Sequence, residues 1–380
     1  MVANVGTMQI PVRLAALGPR SLAPGTLLAV AYSTVTLVGT PFVIPQIVST
    51  YDVGLGVASL ISVVQLGGFV VGSYGAGRRL DPTPRVLAGA LLLTAVAHLI
   101  AALEPAYLVL LATRIGSGIG LGLITWFGWA QAFGDDTRTT DLAVVGPVTG
   151  VLASPLLAYV ADSAGLTGIY LLLAVLSLAP LPWVAGTGGV VPPRSAAERR
   201  TRAVPAAMLI LASLFAFTLG GSAVFQFVVV LGNDELGLSA TAIAVAFSAN
   251  ALVGIPAARW PVDKRGVPGP WMVATGIMAV LVALALDERL FLGAMILWGF
   301  TFWMAIPGAY AVLAARSAYP EQRAGDAQAL MALGRVIGPL VGGLVLDSGG
   351  GTALAVLGGG TMIASGVAMF LTRVMAPPRN

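Results

Sequence analysis

There is no cysteine in this chain, and His98 is its single histidine. Without thiols there can be no disulfide framework, iron–sulfur cluster or thiolate metal site, and one imidazole leaves little for a structural zinc. Charge is scarce as well: charged residues make up 9% of the 380, against about 25% in an ordinary soluble domain. No stretch alternates apolar and polar residues with the period of two that a lipid-facing barrel requires. Acids are missing from one place in particular. All 16 Asp and Glu fall in loops or near the ends of the apolar runs, and Asp141 and Asp326 come nearest to an interior.

What remains is an apolar chain, 57% hydrophobic, and most of it cannot face water. Its apolar runs are about 20 residues or longer and recur about every 30 residues, which predicts an all-α membrane protein of about twelve transmembrane helices. The spans begin near Leu22, Gly54, Arg85, Ala106, Thr140 and Leu166, then near Ala206, Ser239, Pro270, Leu290, Ala324 and Thr352. The first run follows Arg13 and Arg20 as the core of a secretory signal would. It is too long for one and continues directly into further spans, so it reads as helix 1.

The net charge of +4 could suggest nucleic acid, but the positions of the charges argue for a topology signal instead. All but three of the 20 basic residues precede span 1 or follow an even-numbered span, and the exceptions are Arg114, Arg289 and Arg335. By the positive-inside rule that side is the cytoplasm, so both termini are expected inside the inner (cytoplasmic) membrane.

The longest polar stretch carries Pro192, Pro193 and four arginines and reads as a linker. The expected organisation is a cytoplasmic segment 1–21, a six-helix half 22–186, a linker 187–205, a second six-helix half 206–373 and a tail 374–380. The halves are pseudo-symmetric. Asp52 matches Asp234, Asp81 matches Asp263, Arg138 matches Arg323, Pro155 matches Pro339, and Asp162-Ser163 matches Asp347-Ser348, all at an offset of 182 to 185 residues. Such duplication is expected of transporters whose solute site lies between repeats.

Four segments carry a resemblance to a known family. Gly77-Arg78-Arg79-Leu80-Asp81-Pro82-Thr83-Pro84-Arg85, after span 2, is similar to the loop motif of the major facilitator superfamily, with Arg79 in place of the usual leucine and Pro84 in place of the second glycine. Asp263-Lys264-Arg265-Gly266 resembles the same motif after span 8, with Arg259 where its first glycine would be. Arg114-Ile115-Gly116-Ser117-Gly118 resembles the arginine motif that this family associates with proton coupling, with Ser117 where glutamine is frequent. Span 11 fits the glycine–proline motif typical of span 5 better than span 5 itself, where Gly150, Ser154, Pro155 and Ala158 are a worn version. That motif is associated with exporters, so direction stays open. The resemblance implies two six-helix halves, alternating access, no cofactor, and cytoplasmic gate ion pairs, for which Asp81, Arg138, Asp263 and Arg323 are the matching residues. The expected partners are a small-molecule solute, protons and the lipid bilayer, with no nucleic acid and a monomeric chain. Gly116, Gly118, Gly120 and Gly122 lie within a span as a packing stripe, so they do not form a nucleotide loop.

The residues themselves point to charge. Gly334, Gly338 and Gly342 recur every fourth residue, a stripe along which another helix backbone can come close, and Arg335 is expected on that stripe. Arg114 is the other buried guanidinium, and it either serves function or satisfies backbone carbonyls. A guanidinium does not deprotonate to escape burial, so two of them without an intramembrane carboxylate need an anion, water or many carbonyl oxygens. The first reading is that the solute supplies the negative charge, as a carboxylate or similar organic anion on Arg335, with Arg114 as a second candidate. The other candidate binding residues are Gln65 and Asn250, matched by the repeat at mid-span, Tyr32, Gln226 and Trp303. Gln65 and Asn250 either line a cavity or bond helix to helix. A second reading is a proton-driven exporter of neutral or amphipathic compounds, with Arg114, Asp326, Asp141 or His98 in proton coupling. His98 can equally be a packing residue. A third is a membrane sensor that moves nothing. No enzyme chemistry is indicated.

Overall fold

The computed structural model describes residues 22–132, 136–187, 203–260, 266–317 and 320–372. The N-terminal segment, most of the linker, the tail and Asp263 lie outside the described residues. Those described are mostly helical, with short loops between the helices and no strand among them. In chain order α1 is Pro24–Tyr51, α2 is Leu60–Arg79, α3 is Pro84–Ala101 and α4 is Tyr107–Ala132. Asp136–Leu178 holds α5 and α6, which part at Gly165, where φ is 57°. In the second half, α7 is Pro205–Phe225, α8 Ala240–Ala258, α9 Pro268–Leu284 and α10 Glu288–Ala315. Pro320–Leu354 holds α11 and, beyond Gly350 at φ 65°, the start of α12, which runs through a π turn into Gly360–Leu371. Nine stretches are long and apolar enough to cross a membrane and α9 is a shorter one. With the two stretches that turn at Gly165 and Gly350 read as pairs, the described residues are consistent with the twelve expected spans.

Local chemistry sets the helix starts. Pro24, Pro84, Pro205 and Pro268 stand in the first turn, where a missing N–H costs nothing. The side chains of Thr83, Ser239 and Asp287 accept from the first free amides of α3, α8 and α10. Gly165 and Gly350 replace whole loops, because only glycine enters that left-handed backbone without strain.

The two halves repeat one another's packing. α2 lies along α4 as α8 lies along α10, and α1 meets α5 as α7 meets α11. The expected glycine stripe is present. A Cβ at Gly334 would come 2.6 Å from Phe215 O, at Gly338 2.6 Å from Leu219 O, and at Gly342 2.3 Å from Ala223 O, so the α7 backbone lies directly on the glycines of α11. Arg335 departs from expectation here. One residue on from Gly334 it is turned about a quarter of the way round the helix, and it shares its face with Ala332 and Pro339. In the other half the seam of α2 and α4 is as close: a Cβ at Gly118 would stand 2.0 Å from Gln65 O and one at Gly122 2.2 Å from Phe69 O.

The halves meet through α5 with α8 and α2 with α11. At the end where α2 begins, the N–H groups of Leu55 and Gly56 donate to the Asp347 carboxylate of α11, at 3.0 Å and 2.7 Å. Nearer the middle, Ser248 of α8 donates to Val151 O of α5 at 2.8 Å, and Phe42 of α1 meets Phe247 of α8 at 5.5 Å between ring centres.

Candidate functional site

Between the halves lies a cavity of about 380 Å³, within the size range of small-molecule sites. Helical periodicity decides which residues reach it. α2 contributes Ser62, Gln65, Leu66, Phe69 and Val70; α7 contributes Thr218, Gly221, Ser222 and Phe225, with Gln226 just beyond its end; α10 contributes Trp298, Gly299, Phe302 and Trp303. Each set follows the three-and-four spacing of one helix face. Leu37 and Thr40 of α1, Asn250 of α8, and Ala332, Arg335 and Pro339 of α11 complete the wall.

The wall is mostly aromatic and aliphatic. Phe225 meets Trp298 edge-on at 5.5 Å, Phe302 meets Trp303 at 5.9 Å, and Phe217 stacks behind Phe302 at 5.7 Å. Into this apolar space projects one cation. Arg335 keeps an exposed surface although protein surrounds it at mid-bundle, because it faces the cavity it lines. No carboxylate among the described residues forms an ion pair with it.

Five of the seven binding candidates meet at this cavity: Arg335, Gln65, Asn250, Gln226 and Trp303. Gln65 and Asn250 do both things expected of them, since each also bonds between helices. Asn250 Nδ2 donates to Met295 O of α10 at 2.6 Å, and Gln65 Oε1 accepts from Arg114 Nη2. Gln226, at the break after α7, has a buried Nε2 with no hydrogen-bond partner.

Arg114 and Tyr32 do not line the cavity. Arg114 is 1% exposed and stands behind Gln65, with its guanidinium carbon 5.5 Å from the ring centre of Tyr170. Its Nε and Nη1 have no hydrogen-bond partner, nor has Gln65 Nε2 or Tyr170 Oη. Tyr32 turns the other way, its Oη 3.0 Å from His98 Nε2, and His98 in turn stacks on Tyr170 at 6.0 Å. These side chains make a buried polar row inside the first half that ends at Gln65, the member that touches the cavity.

The gate and proton candidates lie elsewhere. Arg138 Nη1 donates to Gln131 O at 3.4 Å. Gln131 also accepts from Thr26 at 3.0 Å and donates to Thr187 O at 2.5 Å, which ties the start of α1 and the end of α4 to the short turn Ala185–Thr187 beyond α6. Arg323 pairs with Asp326 within α11 at 2.6 Å. Asp81 is exposed at the start of the loop before α3, and Asp141 is half-buried in α5.

Sequence reasoning missed Ser62, Phe69, Thr218, Ser222 and Phe302. A signal for the first two was present: they stand three residues before and four after Gln65, on the face that Gln65 already marked.

Known proteins agree with this architecture. The family model described as Major Facilitator Superfamily matches residues 22–334. No curated protein matches the sequence. Among solved structures, a bacterial homologue of the human lysosomal transporter Spinster, in an inward-facing and unoccupied conformation, superposes with a TM-score of 0.67 at 12% identity, covering 91% of this chain and 94% of that one. The human organic anion transporter MFSD10 (TETRAN) gives 0.66 at 14% identity, over 91% and 97%. A POT family transporter in complex with a thioalcohol-conjugated peptide gives 0.70 at 13% identity, over 91% and 95%. At such identities the likeness is one of fold.

Proposed function

The chain belongs to the Major Facilitator Superfamily, and from that premise we propose that it is a secondary active transporter for a small organic anion, a carboxylate, held by Arg335 in the central cavity. The observation that carries this reading is the cavity-facing guanidinium of Arg335, with no described acid in ion-pair reach. A fixed cation in an apolar cavity is costly until a counter-charge arrives, and a carboxylate can take two parallel N–H bonds from a guanidinium. The aromatic wall supplies the remaining affinity and favours an amphipathic anion over an inorganic one. MFSD10 is an organic anion transporter by its description, which agrees with this reading.

The halves then exchange access around the cavity. The clasp of Asp347 on Leu55 and Gly56 closes the end opposite the basic loops. With those loops cytoplasmic, the state described is closed outside and faces inward, in the inner membrane. Protons are the coupling ion in this reading, and collapse of the pH gradient by a protonophore abolishes uphill transport.

The test is counterflow of aromatic and aliphatic carboxylates in proteoliposomes, comparing the wild type with Arg335→Lys and Arg335→Ala. Lysine keeps the charge but loses the fork, so both variants lower transport, by about tenfold or more. Unchanged rates for every anion tried would refute the assignment.

A further inference from the structure

The two intramembrane guanidiniums are not equivalent. Arg335 reaches the cavity directly, whereas Arg114 is separated from it by one side chain, Gln65, whose Oε1 accepts from Arg114 Nη2 while the same amide forms part of the cavity wall. Arg114 is 1% exposed, and its Nε and Nη1 are unpartnered, as is Nε2 of Gln65. Three buried donor groups without acceptors therefore cluster around one amide, beside a cation that has no ion pair with a described carboxylate.

We propose that Gln65 sets the charge of the cargo: by holding Arg114 behind the cavity wall it leaves a single guanidinium in reach, so the site takes monocarboxylates and rejects dicarboxylates of the same skeleton. This rests on the anion reading of Arg335. A second carboxylate entering the cavity meets the amides of Gln65, Asn250 and Gln226, the hydroxyls of Ser62, Thr218 and Ser222, or the aromatic wall; these offer hydrogen bonds at most and no formal charge, so its desolvation is only partly offset. Arg114 cannot provide that charge through Gln65, because its Nη2 already serves the amide oxygen and the amide fills the opening. A shorter residue at position 65 opens the path, and the idle Nε–H and Nη1–H of Arg114 become the second anion seat.

The experiment is equilibrium binding of two matched pairs, octanoate with suberate and biphenyl monocarboxylate with biphenyl dicarboxylate, to the purified full-length chain in detergent. In the wild type the monoanion of each pair binds more tightly, by about tenfold or more. In Gln65→Ser that preference falls by about tenfold or inverts, and Gln65→Ser with Arg114→Gln restores it. Gln65→Glu places a carboxylate on Arg114 instead and widens the preference; this variant carries the test if Gln65→Ser does not fold by thermal melting. A preference that is the same in the wild type and in every folded position-65 variant overturns the inference, as does a wild type that binds both members of a pair equally. If no monoanion binds, or binding ignores Arg335→Ala, the anion reading itself fails. If monoanion binding depends on Arg335 but the pair preference ignores position 65, only the role of Gln65 fails.

Discussion

Truncating Asp347 should unlatch one end of the bundle. Its carboxylate accepts two backbone N–H groups from the opposite half, at 3.0 Å and 2.7 Å, and these amides begin a short helix after Gly54, where donors have no partners of their own. A hydrogen bond to a charged group is worth about 1.5–3 kcal/mol when water is excluded. Asp347 is exposed, and solvent competes for it, so about 1–2 kcal/mol for the pair is the reasonable magnitude. Asp347→Ala should therefore move the population toward opening at this end by roughly 5- to 30-fold. Because the chain has no cysteine, Ser49→Cys in the first half and Glu235→Cys in the second can carry spin labels without any background to remove. Both positions are exposed near the clasped end. The distance distribution should gain a longer component in Asp347→Ala. The repeat-mate Asp162 supplies the control, since it is exposed and has no hydrogen bond among the described residues, so Asp162→Ala should leave the distribution as it was. An unchanged distribution in Asp347→Ala, or an equal shift in Asp162→Ala, would refute the reasoning.

Two further outcomes follow from the packing and the cavity. Gly118→Ala puts a Cβ 2.0 Å from the Gln65 carbonyl, a backbone atom that cannot swing aside; it should cost about 1–3 kcal/mol, read as a lowered melting temperature in detergent. Gly89→Ala, with nothing within 4 Å of the new Cβ, should leave melting unchanged or raise it. Trp298→Ala removes an aromatic wall of the cavity and should weaken carboxylate binding by about tenfold, whereas Trp183→Ala, half-exposed and away from the cavity, should not alter it.

The helices and their order were legible because a bilayer imposes a length on every span. The structure turns at Gly165 and Gly350 within two residues of where spans 6 and 12 were expected to begin. The repeat was legible from paired landmarks, and it brought Gln65 and Asn250 to the cavity from opposite halves. What the sequence does not carry is the rotation of a helix about its own axis. Arg335 adjoins a glycine stripe in the sequence, but on the helix the glycines face α7 while Arg335 faces the cavity. Arg114 and Tyr32 have the right depth and composition for a solute site, and both turn into the first half instead. The clasp between Asp347 and the start of α2 joins residues 291 and 292 positions apart through backbone amides. No side-chain pattern announces such a contact.

The most direct measurement of an anion meeting Arg335 is a ligand-bound structure with a bromine-labelled aromatic carboxylate, located by the anomalous signal of the bromine. The carboxylate should lie about 2.7–3.2 Å from the Arg335 guanidinium nitrogens, with the bromine among Phe225, Trp298 and Trp303. Bromine density outside the central cavity, or Arg335 turned onto an acid of the protein while the ligand sits elsewhere, would contradict it.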